Sequence, residues 1–172
     1  KEKQKLTIAW AGDSRAIIVK QSGSMRFVTK DHKPADKKEK SRIKKDGGCV
    51  VNNRVQGGLS VSRAIGDKVQ AFLGKQNKEL VIADPDVQEC AIKPNDACLI
   101  LACDGVWDVL TNHMASTLVL NELQKKEFKV EKKSTDSEII DGSNAHCMMA
   151  ACALRDKAYQ LGSKDNITVM VV

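Results

Sequence analysis

The order of secondary-structure signals predicts an α+β fold built as a layered sandwich rather than from alternating βαβ units. Three observations predict it: strand-like runs crowd the first half of the 172 residues, helical signals fill the second half, and a β-branched run, Ile167-Thr168-Val169-Met170-Val171-Val172, closes the chain. A chain of this length fits one domain, residues 1–172, and buries roughly 70% of its unfolded surface, so no second core is required.

Leu6-Thr7-Ile8-Ala9-Trp10-Ala11 reads as a strand, Gly12-Asp13-Ser14 as a tight turn and Arg15-Ala16-Ile17-Ile18-Val19 as a second strand, so the chain is expected to open on a hairpin. Asp13 is a common turn residue for backbone reasons alone. A second turn, Gln21 to Ser24, leads to Met25-Arg26-Phe27-Val28 and extends the hairpin to a three-stranded meander. Asp31-His32-Lys33-Pro34 breaks the pattern, with His32 held extended before the proline. A lone histidine in such a place is expected to serve the fold. Ala35 to Asp46 is lysine-rich with Ile43 as its main anchor and ends at Gly47-Gly48, which suits a short surface helix with a glycine C-cap. Cys49-Val50-Val51 and Arg54-Val55 flank Asn52-Asn53, a good turn pair for a small hairpin. The glycine-bounded run Gly57 to Asp67 lacks both GxxxxGK[ST] and dinucleotide-type spacing, so no nucleotide site is assigned to it.

Residues 68–78 read as a loop, and Leu80-Val81-Ile82 and Val87 to Ile92 as strands on either side of a turn at Asp84-Pro85-Asp86. Leu99-Ile100-Leu101-Ala102-Cys103 fits a strand buried on both faces, because no solvent-facing position interrupts it. Asp104 stands at its end, Gly105 permits a tight turn, and Val106 opens a helix that Leu118, Leu120 and Leu123 carry to about Gln124. If the helix starts at once, Asp104 and Asp108 point to one side, as half of a site for a hard, oxygen-seeking cation. The residues alone also allow Asp104 to cap the helix and Asp108 to favour its positive end. Residues 125–141 read as a linker or exposed insertion. Ser143 can cap a last helix, Ala145 to Leu161, with Gly162 as its stop. Asp165 then lies where the turn Gly162 to Asn166 meets the final strand, and taken singly it is a turn residue.

Charged residues make up 29% and hydrophobic ones 42%, ordinary for a soluble globular protein. The longest apolar run is far short of the ~20 residues of a membrane span, and the lysine-rich start lacks a signal-like apolar stretch. No membrane partner and an intracellular location, cytoplasmic or nuclear, are expected. The six cysteines form no CxxC pair and no histidine-bearing zinc pattern, and are expected to be reduced structural thiols. The net charge of +6 allows an acidic partner. The lysines, however, gather in residues 37–45 and 125–133 as solvated helix faces or linkers, and only 3% of residues are aromatic, so nucleic acid is not expected to be a partner.

Taken together, Ala11-Gly12-Asp13-Ser14-Arg15-Ala16, Asp31-His32-Lys33-Pro34, Gly47-Gly48-Cys49-Val50, the run Arg54 to Asp67, the run Ala102 to Leu110 and the run Gly162 to Val169 closely resemble the protein phosphatase 2C family, with six motifs in the family's order. The resemblance is weakest at residues 68–79 and 125–141. It implies two antiparallel β-sheets packed as a sandwich with helices outside, and hydrolysis of phosphoserine and phosphothreonine in proteins with Mn²⁺ or Mg²⁺. By that resemblance Asp104 and Asp165 match aspartates that hold one ion of a two-metal centre and serve its chemistry. Asp13 and Asp108, with Asp104, match a third, looser metal position. Arg54 is similar to the family's flap-proximal arginine, which contacts phosphoprotein substrate, and the flap falls in residues 34–53 and 68–79. Paired metals clamp phosphoryl oxygens and bring the pKa of a bridging water toward neutrality for in-line attack.

The resemblance also carries a departure. The family's first acidic residue, its Asp-Gly-His segment with the bridging aspartate, and its general-acid histidine all precede the Gly-Asp-Ser-Arg motif. Here only eleven residues do, with Glu2 and no match among them, while His32 matches the Asp-His-Lys-Pro element instead. The chain thus resembles the C-terminal two thirds of the domain with the N-terminal strands missing. Three expectations follow: part of an active enzyme, half of a site completed by another chain paired through an exposed sheet edge, or an inactive relative acting as a phosphoprotein- or kinase-binding regulatory module.

Overall fold

The computed structural model describes residues 4–67, 79–125 and 142–172, so the loop expected at 68–78 and all but the start of the insertion expected at 125–141 lie outside the described residues. In chain order the elements are β1 (Lys5–Trp10), β2 (Arg15–Lys20), β3 (Met25–Val28), α1 (Lys37–Lys45), β4 (Val50–Val51), β5 (Arg54–Val55), β6 (Asp86–Ala91), β7 (Asp96–Ala102), α2 (Asp104–Trp107), α3 (Asn112–Leu123), α4 (Gly142–Gln160) and β8 (Val169–Val171). The sheets are antiparallel and accompanied by helices, an α+β fold as expected. The chain forms two compact units, Lys1–Ser14 with Lys30–Ile92 and Arg15–Thr29 with Lys93–Val172. Neither is continuous in sequence, which is why no linker-like composition marks the boundary.

In the first unit β1 pairs with β6, Trp10 opposite Asp86 and Lys5 opposite Ala91. The expected opening hairpin and three-stranded meander therefore do not form: β2 pairs with β3 and β7 instead. The turn explains the difference. Gly12, at φ +118°, donates its N–H to His32 Nδ1 at 3.1 Å, and its carbonyl accepts from the His32 N–H at 2.8 Å. The polar groups that would close a tight hairpin are bonded to the Asp-His-Lys-Pro segment. His32 is 4% exposed, stacks on Trp10 with centroids 6.3 Å apart, and places Nε2 3.3 Å from Asp86 Oδ2. It serves the fold.

Helix α1 has both of its ends specified. Asp36 accepts from the Lys38 N–H at the N-cap, and Gly47, at φ +90°, lets the Gly48 N–H return to the Ile43 carbonyl at 2.9 Å, a Schellman ending. Ile43 is fully buried with Val55, Leu80 and Val81 in a small core. Asn52 and Asn53 both take positive φ, as the two-residue turn between β4 and β5 requires. Leu80 to Ile82 forms only an isolated bridge between Arg63 and Ile82 rather than the expected strand. Arg42 donates to the Leu80 carbonyl at 3.0 Å, so a side chain takes the place of a ladder partner.

Glu39 is buried on α1 between two arginines. Arg63 bonds both carboxylate oxygens, at 2.7 and 3.2 Å, and Arg42 adds a bond of 3.0 Å. Burial opposes ionisation, and the arginine hydrogen bonds outweigh it, holding the carboxyl at about 2 against an ordinary 4.5.

In the second unit the strand order is β3-β2-β7-β8. A row of Ile17, Ile100 and Val171 crosses three strands and joins Val119 and Leu120 of α3 and Ala150, Leu154 and Ala158 of α4 in the main core. Ala16 to Val19 are all buried, whereas β7 is not covered equally on both faces as expected: Cys98, Ile100 and Ala102 are buried and Leu99 and Leu101 half-buried. The single helix expected from Val106 to Gln124 is two. Thr111 is extended and its hydroxyl accepts from the Met114 N–H at 3.2 Å, an N-cap that starts α3 afresh. Helix α4 begins at Gly142, ahead of Ser143, and ends as expected at Gly162, φ +86°. All six cysteines are free, and burial pushes the Cys98 thiol up to about 11. Among the described residues no helix is long and apolar enough to cross a membrane.

Because Glu39 binds its proton more weakly folded than unfolded, its contribution to stability is complete above about pH 4.5 and falls away toward about pH 2. Urea midpoints measured across that window should fall with pH, and Glu39→Gln should shallow the slope while costing about 3–5 kcal/mol at neutral pH, where it leaves two arginines without their carboxylate. An unchanged slope would contradict the assignment.

Candidate active site

The site grows from the end of β7. Cys103 caps α2 without a side-chain bond to the helix. Its thiol instead donates to the Asn166 carbonyl at 3.0 Å and accepts from the Thr168 N–H at 3.2 Å, while the Cys103 N–H reaches the Thr168 carbonyl at 3.2 Å. Two residues on, a Cβ at Gly105 would meet the Asn166 oxygen at 2.2 Å and its carbonyl carbon at 3.0 Å. The Gly105 carbonyl accepts from the Ser163 hydroxyl at 2.6 Å. The α2 turn and the loop before β8 are thus joined by hydrogen bonds and one close backbone approach.

That junction gathers the carboxylates. Asp104 is the first residue of α2, and the Asp108 N–H donates to its carbonyl at 2.8 Å, so the two lie one helical turn apart on one side. The capping role that the sequence allowed for Asp104 belongs to Cys103, and Asp108 sits at the C-terminal end of α2, where the helix dipole gives a carboxylate nothing. Asp108 and Asp165 line one pocket of about 290 Å³, together with Gly105, Ser163 and Lys164. Asp165 is exposed, and one of its oxygens accepts from the Asn166 N–H at 2.7 Å. Trp107, buried beneath, donates its indole N–H to the Ala102 carbonyl at 2.8 Å and lies under the Arg15 guanidinium, 5.1 Å from its ring centroid.

The other two residues singled out lie in the first unit. Asp13 is ion-paired with Lys33, and Arg54 is exposed on the β4–β5 hairpin, with Nη1 on the Gly58 carbonyl at 2.7 Å. Carboxylates are the donors that Mg²⁺ and Mn²⁺ take, and Mg²⁺ is commonly held by only one or two of them with water completing the shell. By donor chemistry alone, the Asp108 and Asp165 carboxylates that share the pocket are of the type such an ion takes. Among the described residues, no group of three or more His, Cys, Asp or Glu side chains is placed to hold a metal. Sequence reasoning missed Cys103 and Ser163 as the residues that join the two segments. The small polar residue before Asp104 and the serine two positions before Asp165 were the available signals.

The family model of protein phosphatase 2C matches residues 1–167. The chain is 37% identical over 172 residues to the human integrin-linked kinase-associated serine/threonine phosphatase 2C, an alignment that covers 97% of this chain and 41% of that protein. It is 39% identical over 171 residues to the probable protein phosphatase 2C 59 of Oryza sativa subsp. japonica, covering 98% and 43%. The crystal structure of a phosphatase from a pathogenic strain of Toxoplasma gondii superposes with a TM-score of 0.77 at 34% identity, covering 97% of this chain and 47% of that one. The chain spans less than half the length of each of these relatives.

Gly105→Ala should cost about 1–3 kcal/mol of stability, because the methyl group meets backbone that cannot rotate away. A urea midpoint equal to that of the unsubstituted chain would show that the two segments do not approach this closely.

Proposed function

The chain belongs to the protein phosphatase 2C family, and on that premise we propose that it hydrolyses phosphoserine and phosphothreonine in proteins at the pocket that Asp108 and Asp165 share. The observation that carries the reading is the junction itself, where Asp104, Asp108 and Asp165 come from two segments joined at Gly105. In this reading Asp104 and Asp165 hold one Mn²⁺ or Mg²⁺ ion of a two-metal centre, and Asp104 and Asp108 contribute to a third, looser position. Such ions, when bound, supply a polarised water and neutralise charge on phosphoryl oxygens.

The chain's own residues prepare the site. The Cys103 and Ser163 hydrogen bonds fix the spacing of the two carboxylate-bearing segments before any ligand arrives, which is what preorganisation of a charged site requires. Lys164 adds a cation to the pocket wall, suited to a phosphoryl oxygen. Arg54 uses one donor on Gly58 and presents the rest of its planar fork toward a phosphoprotein. Within the first unit, the Asp13 carboxylate is taken up by the Lys33 ion pair. An intracellular location, cytoplasmic or nuclear, belongs to the same proposal.

A second reading is favoured by the lack, among the described residues, of a group of three metal-holding side chains. It is a module that captures a phosphoprotein or a kinase without hydrolysis; the name of the human relative associates that protein with a kinase. The two readings separate in one assay on the protein. Phosphate release from a phosphothreonine peptide should require Mn²⁺ and fall by at least ~100-fold in Asp104→Asn and Asp165→Asn, no less than losing an outer-shell partner costs a metal site. Peptide capture without release, unchanged in both variants, would establish the binding module instead.

A further inference from the structure

The exposed face of α1 carries cations and one serine. At 100° per residue, Lys37, Lys38, Lys40, Lys44 and Lys45 occupy an arc of about 160° with Ser41 among them, opposite the buried Glu39 and Ile43. All five lysines are exposed. Glu39, the one acidic residue of the helix, faces inward to Arg42 and Arg63. Among the described residues none of the five has an ion-pair partner, whereas Lys30 and Lys33 nearby in sequence are paired with Asp36 and Asp13.

Helix stability accounts for only part of this pattern, since Lys44 and Lys45 stand in the last turn, where the dipole favours cations. Lys37 and Lys38 stand in the first turn, where the dipole disfavours cations, and Lys37 with Lys40 and Lys40 with Lys44 are like-charge neighbours at helical spacing. The helix is held by its Asp36 cap, its Schellman ending and the buried Ile43. The same small core contains Val55 of the hairpin that bears Arg54, so the lysine face and that arginine belong to one packed body. No aromatic side chain interleaves the lysines to stack on a base.

We propose that this face docks an acidic segment of the protein substrate, so that phosphosites accompanied by a run of Asp and Glu are preferred. The proposal rests on the phosphatase reading above and names its substrate class. Docking away from the reacting atoms acts through KM and leaves kcat alone. The test uses two phosphothreonine peptides of equal length, one bearing a run of four Glu set apart from the phosphosite and one bearing four Gln. With the full protein and Mn²⁺ at low salt, the Glu peptide should show a KM about tenfold lower at the same kcat, as a few exposed ion pairs would give. K37E/K40E/K44E, folded by circular dichroism, should abolish that difference, as should 0.5 M salt. Fluorescence anisotropy of an unphosphorylated Glu-run peptide, bound by the wild type and released by the triple variant, reads the same surface without turnover. If neither peptide releases phosphate, the phosphatase reading fails and the anisotropy alone decides the docking face. Equal KM values with equal anisotropy would overturn the proposal. So would a triple variant that loses duplex DNA while keeping the peptide.

Discussion

Asn166 lies so close to Gly105 that no side chain fits between them, and the candidate site depends on that approach. Separately, Asp104 and Asp108 are two carboxylates on a four-residue helix and Asp165 is a residue in an exposed turn. Brought together at Gly105, Asp108 and Asp165 line one pocket, with Asp104 one helical turn from Asp108. The Asn166 carbonyl that excludes a Cβ at Gly105 also accepts the Cys103 thiol, and the Gly105 carbonyl accepts Ser163. These cross-segment bonds add to the pairing of β7 with β8 in fixing the spacing of the two segments.

The first unit is organised around a different constraint, the buried carboxylate of Glu39. Two arginines converge on it, and the same guanidinium groups also donate to the carbonyls of Ser62, Leu80 and Asp84. Segments with little regular structure are thereby tied to α1 through side chains in place of a sheet ladder. This arrangement also leaves α1 without an exposed carboxylate to offset its lysines.

Local chemistry made much of this readable in advance. Gly47-Gly48 after Ile43, Asn52-Asn53 between short apolar pairs, and Gly162 after a long helical run each stop or turn the chain where the sequence says they should, because each answers a backbone requirement within a few residues. The pairing of β1 was not readable: Gly12-Asp13-Ser14 looks like a hairpin turn, and only His32, twenty positions away, diverts its hydrogen bonds. Thr111 was hidden inside an apolar helical pattern although it carried a capping hydroxyl. At the site, the aspartates were found as residues at the ends of apolar strands, and the resemblance gave them roles. What joins Asp104 to Asp165 is a thiol, a hydroxyl and a missing Cβ, features whose meaning depends on contacts some sixty residues apart in sequence.

The central proposal is that the α2 turn and the loop before β8, which line one pocket, bind a cation there. Paramagnetic broadening of backbone amide signals by trace Mn²⁺ tests it most directly, since it reports which residues lie beside the ion without requiring turnover. The account predicts that residues 104–108 and 163–166 broaden together, at the same Mn²⁺ concentration and before the rest of the chain, and that Mg²⁺ restores them. Broadening of one segment without the other, or of neither, would contradict it.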